Sequence, residues 1–220
     1  MIFSKLFDHT NLRPYATTED IKKLCQEAIT YNFKSVAINN ANIEKCRQFL
    51  SGSDVLIDAA VGFPLGQSTL DTKLFETRDA ITKGADEVDY VINVAAVKDK
   101  DFQYIEQEMQ AIVGICRESD VTCKVIFENC YLEEDEIIAL CQIANKFKPD
   151  FIKTSTGFGP SGATIKDVQL MRRHALPEIG IKAAGGIRDL ATVEKMIEAG
   201  ATRIGCSSSV EILKEWQQKA

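Results

Sequence analysis

The sequence predicts an α/β chain folded as a single-domain (β/α)8 TIM barrel over residues 1–220. Three observations carry this expectation. Short apolar runs alternate with longer helical-period runs, which implies right-handed βαβ units. The runs form eight pairs of about 27 residues each, compact but sufficient for a barrel. Runs such as Val55-Leu56-Ile57-Asp58-Ala59-Ala60-Val61 are continuously apolar apart from one acid, which suits parallel strands covered on both faces. A doubly wound open sheet is the rival arrangement.

The elements follow in order. A first strand at Lys5–Asp8 precedes a helix at 18–31, where Ile21, Leu24, Cys25 and Ala28 keep the spacing of an amphipathic face. Thr17 or Thr18 caps it. Strands at Ser35–Asn39, Val55–Gly62 and Glu87–Asn93 lead into helices at 43–50, 69–83 and 101–119. A strand at Cys123–Glu128 precedes a helix at 133–147, which the acidic run Glu133-Glu134-Asp135-Glu136 opens, where negative charge suits the helix dipole. Pro149-Asp150 open the strand Phe151–Thr154, and Thr164 caps the helix at 164–175. Ile179–Ala184 with 189–199, and Thr202–Cys206 with a helix from about 208, complete the series. No composition break or linker marks a second domain.

Composition narrows the function. At 220 residues the chain can bury about 70% of its unfolded surface. A net charge of −6 argues against a general nucleic-acid or membrane-surface binder, without excluding a local cationic site for an anionic metabolite. No apolar run approaches the roughly 18 residues of a membrane span, and the N-terminal residues do not read as a secretory signal. The seven cysteines are scattered without a C-x-x-C, so reduced thiols and a cytoplasmic location are expected, with no zinc site.

The chemistry is expected from lysines in apolar strands. Lys153 lies in Phe151-Ile152-Lys153-Thr154 and Lys182 in Ile179-Gly180-Ile181-Lys182-Ala183-Ala184. Lysine is rarely buried unless paired, and a desolvated lysine becomes a nucleophile for carbonyl carbon. Side-chain alternation places Asp89 and Asn93 on one face of the fourth strand, from which Asp89 can meet both lysines inside a barrel. Ammonium groups about 6 Å apart repel by about 2.8 kcal/mol at an effective dielectric near 20, or about two pKa units. One lysine is thus expected to be neutral often enough to react and the other to remain cationic, with Asp89 opposing the shift. The bland alternative is that each lysine reaches the barrel mouth or pairs with a carboxylate.

Glycine-rich strand exits form a second signal. Gly157, the pair Gly185-Gly186 with Arg188, and Gly205 with Ser207 and Ser208 follow strands six, seven and eight. Backbone N–H groups at such junctions bind phosphate, and barrels place phosphate sites after strands seven and eight. Gly157-Phe158-Gly159-Pro160-Ser161-Gly162 matches a dinucleotide fingerprint in letters only, since it comes late and lacks the following acid. His9 is a candidate pocket residue and His174 a solvated one.

Together these residues resemble the deoxyribose-phosphate aldolases, class I Schiff-base aldolases. The carriers are Asp8-His9-Thr10, Val61 to Gly66, Gly84 to Asp89, Phe151 to Gly157, Lys182 to Arg188 and Gly200 to Gly205, so the resemblance spans about residues 6–213. It implies a (β/α)8 lyase without metal or organic cofactor that reversibly cleaves 2-deoxy-D-ribose 5-phosphate to D-glyceraldehyde 3-phosphate and acetaldehyde. It implies Lys153 as nucleophile, Lys182 as the lysine that lowers its pKa, and Asp89 as the proton-transfer acid. It further implies Asp8, Thr10 and Lys124 in the pocket, with Gly157, Gly185, Gly186, Gly205, Ser207 and Ser208 at the phosphate. Members act in deoxynucleoside catabolism in the cytoplasm, often as homodimers, with only small molecules (a sugar phosphate and an aldehyde) as further partners. Ala37 and Ala184 depart from common cysteine and serine positions, and Trp216 to Ala220 carry no tyrosine. A metal-free isomerase or lyase using Asp89 and Glu128, and a non-catalytic sugar-phosphate binder, are the rival readings.

Overall fold

The computed structural model describes residues 2–219 as a closed barrel of eight parallel strands in sequential order, with the last pairing back onto the first. The strands are β1 Phe7–Asn11, β2 Ser35–Asn39, β3 Leu56–Val61, β4 Glu87–Val91, β5 Thr122–Ile126, β6 Phe151–Lys153, β7 Gly180–Ala184 and β8 Arg203–Cys206. The helices are α1 Thr18–Thr30, α2 Ile43–Phe49, α3 Leu70–Thr82, α4 Val94–Lys98, α5 Phe102–Glu118, α6 Glu134–Phe147, α7 Ile165–His174, α8 Leu190–Glu198 and α9 Ser209–Lys219. The open-sheet rival is excluded by closure of β8 on β1.

The core lies between the barrel and its helices. Outward residues such as Val36, Ile57, Val88, Val125, Ile152 and Ile204 share one apolar cluster with Ile21 and Leu24 of α1 and with Met109 and Ile112 of α5. Fully burying such a side chain is worth about 1.5–3 kcal/mol relative to leaving it exposed. Polar caps fix where the helices begin. The Thr17 hydroxyl accepts from Asp20 N at 3.2 Å while the Asp20 carboxylate accepts from Thr17 N at 2.8 Å, a reciprocal capping box. Thr164 likewise accepts from Asp167 N at 3.0 Å. No helix among the described residues is long and apolar enough to cross a membrane.

Three strands differ from expectation by two residues or more at an end; the fifth stops at Ile126, and Glu128 lies beyond it with φ +57° ahead of a 3-10 turn. The residues Phe3–Leu6 form a 3-10 turn, so β1 starts later and runs through Asp8-His9-Thr10-Asn11. A polar stretch serves as a strand here because Asp8 pairs with Lys182 and Arg203 and His9 bonds Glu27 at 3.0 Å. The fourth strand ends at Val91, and Asn93 instead caps α4 by accepting from Ala96 N at 3.2 Å. Asn93 therefore does not share a strand face with Asp89.

A buried pair outside the barrel fixes that exit. Lys73 of α3 donates to Glu108 of α5 at 2.6 Å and to the Val91 carbonyl at 2.7 Å, while Glu108 accepts from Asn93 N at 3.1 Å. Both side chains are fully buried, so each ion has its partner where an unpaired one would be costly.

Candidate active site

The strand register brings the predicted residues together. Lys153 lies beside Lys182 across β6 and β7, and Asp89 beside Lys124 across β4 and β5. Lys153 Nζ donates to Asp89 Oδ2 at 2.6 Å, and Lys182 Nζ donates to the same oxygen at 2.7 Å. Lys124 Nζ holds Asp89 Oδ1 at 2.8 Å.

These four belong to a larger buried set. Asp8 of β1, Asp58 of β3, and Glu87 and Asp89 of β4 supply four carboxyl groups, while Lys124, Lys153, Lys182 and Arg203 come singly from β5, β6, β7 and β8. All acids thus arise from the first four strands and all bases from the last four. Lys182 lies 2.6 Å from Asp8 and 2.7 Å from Asp58, and Lys124 lies 2.9 Å from Asp58 and 2.8 Å from Glu87. Below them Arg203 donates to Asp8 at 2.6 Å and to Glu87 at 3.0 Å, and lies over the Phe151 ring at 4.9 Å. Barrel interiors are usually filled by branched apolar residues; this one is filled by ion pairs.

The charges separate the two lysines. Burial lowers Lys153 from its ordinary value, Lys182 adds to that lowering, and Asp89 opposes it. Although burial opposes it, Asp58, Asp8 and Asp89 hold Lys182 above its ordinary value. Desolvation therefore exceeds the lysine–lysine repulsion as the cause of the Lys153 shift. Although burial opposes it, Lys124, Lys153 and Lys182 hold Asp89 well below the usual carboxylate range. Lys182, Arg203 and Lys124 overcome the same desolvation at Asp8 and lower it too. Asp58 goes the other way, since burial and then the Asp89 charge push it up to about 7.

Above Lys153 opens a cavity of about 410 Å³. Of the candidate residues, Thr10, Lys153, Gly157, Gly185, Gly186, Gly205 and Ser207 line it, as does His9. Asp89, Lys182, Lys124 and Asp8 do not line it but lie in the interior as the lysine's support, so Asp8 and Lys124 fall outside the pocket wall. Ser208 precedes α9 and is likewise not in the wall. Two of the glycines have packing reasons of their own. A Cβ at Gly205 would lie 3.1 Å from Lys182 Cε, and Gly185 has φ +85° with Gly162 Cα 2.9 Å from where its Cβ would be. The rim that exposes backbone N–H groups also lets the lysine stem pass close beneath it.

Glu128 is committed elsewhere, accepting from Thr156 N at 3.1 Å and from the Thr156 hydroxyl. It does not line this cavity, so the pairing of Asp89 with Glu128 is not assembled. Oxygens of Asp8, Asp58 and Glu87 approach within 4.8 Å of one another, as metal ligands would, but Lys124 and Lys182 stand among them as their counter-ions. Glu87 and Arg203 escaped the sequence reading. A two-residue step back from Asp89 reaches Glu87, but Arg203 becomes an interior residue only once β8 is known to close on β1.

The model of the DeoC/LacD family aldolases matches residues 2–215. The chain is 56% identical over 210 residues to the deoxyribose-phosphate aldolase of Lactobacillus acidophilus, covering 96% of this chain and 89% of that protein. It is 52% identical over 213 residues to the deoxyribose-phosphate aldolase of Bacteroides thetaiotaomicron, covering 97% and 90%. A solved tetrameric deoxyribose phosphate aldolase from Aeropyrum pernix superposes with a TM-score of 0.91 at 29% identity, covering 99% of this chain and 92% of that one. With a full-length family match on a closed barrel of this topology, the chain belongs to the DeoC/LacD aldolases, carbon–carbon lyases.

Proposed function

We propose that the protein reversibly cleaves 2-deoxy-D-ribose 5-phosphate to D-glyceraldehyde 3-phosphate and acetaldehyde through an imine at Lys153. The observation that carries this reading is Lys153 itself, a buried amine lowered by desolvation that opens onto a glycine-lined cavity. Its relatives bear the name of this activity.

The free amine adds to the sugar's aldehyde carbon, and loss of water leaves a protonated imine. That cation draws the electron pair of the breaking C2–C3 bond as the C3 hydroxyl gives up its proton. Glyceraldehyde 3-phosphate departs, and the remaining enamine is protonated and hydrolysed to acetaldehyde and free lysine. Asp89, bonded to Lys153, is the group placed to hold or pass the proton at that nitrogen. Gly185, Gly186, Gly205 and Ser207 at the rim offer the phosphate backbone and hydroxyl donors. The same reading assigns the protein to deoxynucleoside breakdown in the cytoplasm, as a homodimer.

Borohydride added with deoxyribose 5-phosphate should reduce the imine and leave a covalent adduct on the peptide containing Lys153. Turnover without any adduct would overturn the mechanism.

A further inference from the structure

Imine chemistry asks the buried amine to change charge twice. Lys153 must lose a proton to attack, and the protonated imine then restores a positive charge at the same nitrogen. The interior around it holds four carboxyl groups against four basic groups, so either change unbalances a buried set unless another member titrates in the opposite sense.

Asp58 occupies the position for that response. From β3 it touches Lys124 of β5 and Lys182 of β7, and it shares the buried interior with Asp8 of β1, Glu87 and Asp89 of β4, Lys153 of β6 and Arg203 of β8. It does not line the cavity and so does not meet substrate. It connects to the reacting nitrogen through two shared contacts. Lys182 Nζ bridges Asp58 Oδ2 and Asp89 Oδ2 at 2.7 Å each, and Asp89 Oδ2 accepts from Lys153 Nζ at 2.6 Å. The other acids are held ionised or are bound to Arg203, whereas the Asp58 carboxyl is raised by burial and by Asp89 to about 7.

We propose that Asp58 is a positioning residue that serves as the proton counterweight of Lys153, taking up a proton when the lysine becomes an amine and releasing it when the iminium forms. The inference rests on the imine reading above, and its proton count closes. The Lys153 ammonium passes a proton through Asp89 to the Asp58 carboxylate, leaving amine and carboxylic acid. When the amine has added to the carbonyl, that proton returns through Asp89 and leaves with the hydroxyl as water, giving iminium and Asp58 carboxylate. The net interior charge is the same at each stage.

The test reads the titration of Lys153 without turnover. Competitive acetylation with trace acetic anhydride across pH, followed by peptide mass spectrometry, gives the midpoint of each lysine. With Asp58→Asn, a folded chain retains the four bases against three ionisable acids, so the Lys153 midpoint should fall by about two pH units for charges about 6 Å apart at an effective dielectric near 20. The acid limb of kcat/KM for deoxyribose 5-phosphate should move down with it, and kcat should fall at least about tenfold because the returning proton has no donor. Asp58→Glu should restore the midpoint towards that of the unaltered chain. An unchanged midpoint in folded Asp58→Asn overturns the proposal and leaves a structural role.

If Asp58→Asn does not fold, the unaltered protein carries the test by infrared difference spectroscopy with pivaldehyde. This aldehyde has no α-hydrogen, so its iminium cannot relax to a neutral enamine. Started at a pH where acetylation shows Lys153 as the free amine, formation of that iminium, confirmed by borohydride reduction, should remove the C=O stretch of a protonated carboxyl, and an unaltered band there overturns the proposal. Absence of a Lys153 adduct with deoxyribose 5-phosphate in the unaltered chain would instead strike the imine reading, a separate result from either midpoint.

Discussion

The two faces of the same strands follow opposite rules. Ile57 and Asp58 are neighbours on β3, yet Ile57 joins the apolar layer under the helices and Asp58 joins seven other ionisable groups inside the barrel. Outside, stability comes from area removed from water and tolerates apolar side chains of similar volume. Inside, each charge depends on the partners that the other strands deliver, and removal of one leaves its neighbours unpaired. The inner face thus gives up stability that an apolar filling would supply and gains a lysine with an altered proton affinity.

That contrast can be broken first at the reacting nitrogen. Lys153→Ala should lower turnover by roughly 10⁴-fold or more and abolish borohydride labelling, while the fold measured by circular dichroism persists. Persistent turnover would mean that the inner face serves some other chemistry. Lys182→Leu should be the next largest, lowering kcat by about 10²–10³-fold, since it removes a buried charge from the reacting centre. It should also cost about 3–5 kcal/mol of stability in urea unfolding because Asp8, Asp58 and Asp89 lose a shared cation. The sign of its pH effect is fixed. Lys182 lowers Lys153, so its loss raises the Lys153 pKa, and the acid limb of the rate profile should move to higher pH. Asp58→Asn is expected to move the same limb the other way.

The outer face should answer differently. Ile57→Ala should cost about 2–5 kcal/mol of stability and leave the pH profile in place, as read by urea unfolding and steady-state rates. A displaced pH limb would show that the two faces are coupled through the strand. Smallest of all, Thr17→Ala removes one cap and should lower stability by about 1 kcal/mol without altering the rate at saturating substrate.

The same contrast explains what the sequence disclosed. The helix-facing residues repeat with ordinary periods, so eight strand–helix pairs were legible, and charges inside apolar runs made Lys153, Lys182 and Asp89 conspicuous. The continuation of β1 past Asp8 was not legible, because Asp8 and Thr10 are polar in a place where polar residues are wanted. The early end of β4 depends on Glu108, 15 residues away, which binds Asn93 N from a different helix. The community of Asp8, Glu87 and Arg203 depends on barrel closure, which no local pattern encodes.

The segregation of acids to β1–β4 and of bases to β5–β8 bears on how the chain can assemble. A half-barrel made from the first four strands would gather only anions on its concave side, and one from the last four only cations. Neither half can pair with a copy of itself, since like charges would meet across the seam. Each can be satisfied only by the other, which makes the charge pattern a lock-and-key for joining unlike halves and a safeguard against the pairing of like ones. Separately expressed halves should therefore remain apart as homotypic mixtures and associate only when combined, a preference that high salt should weaken during encounter.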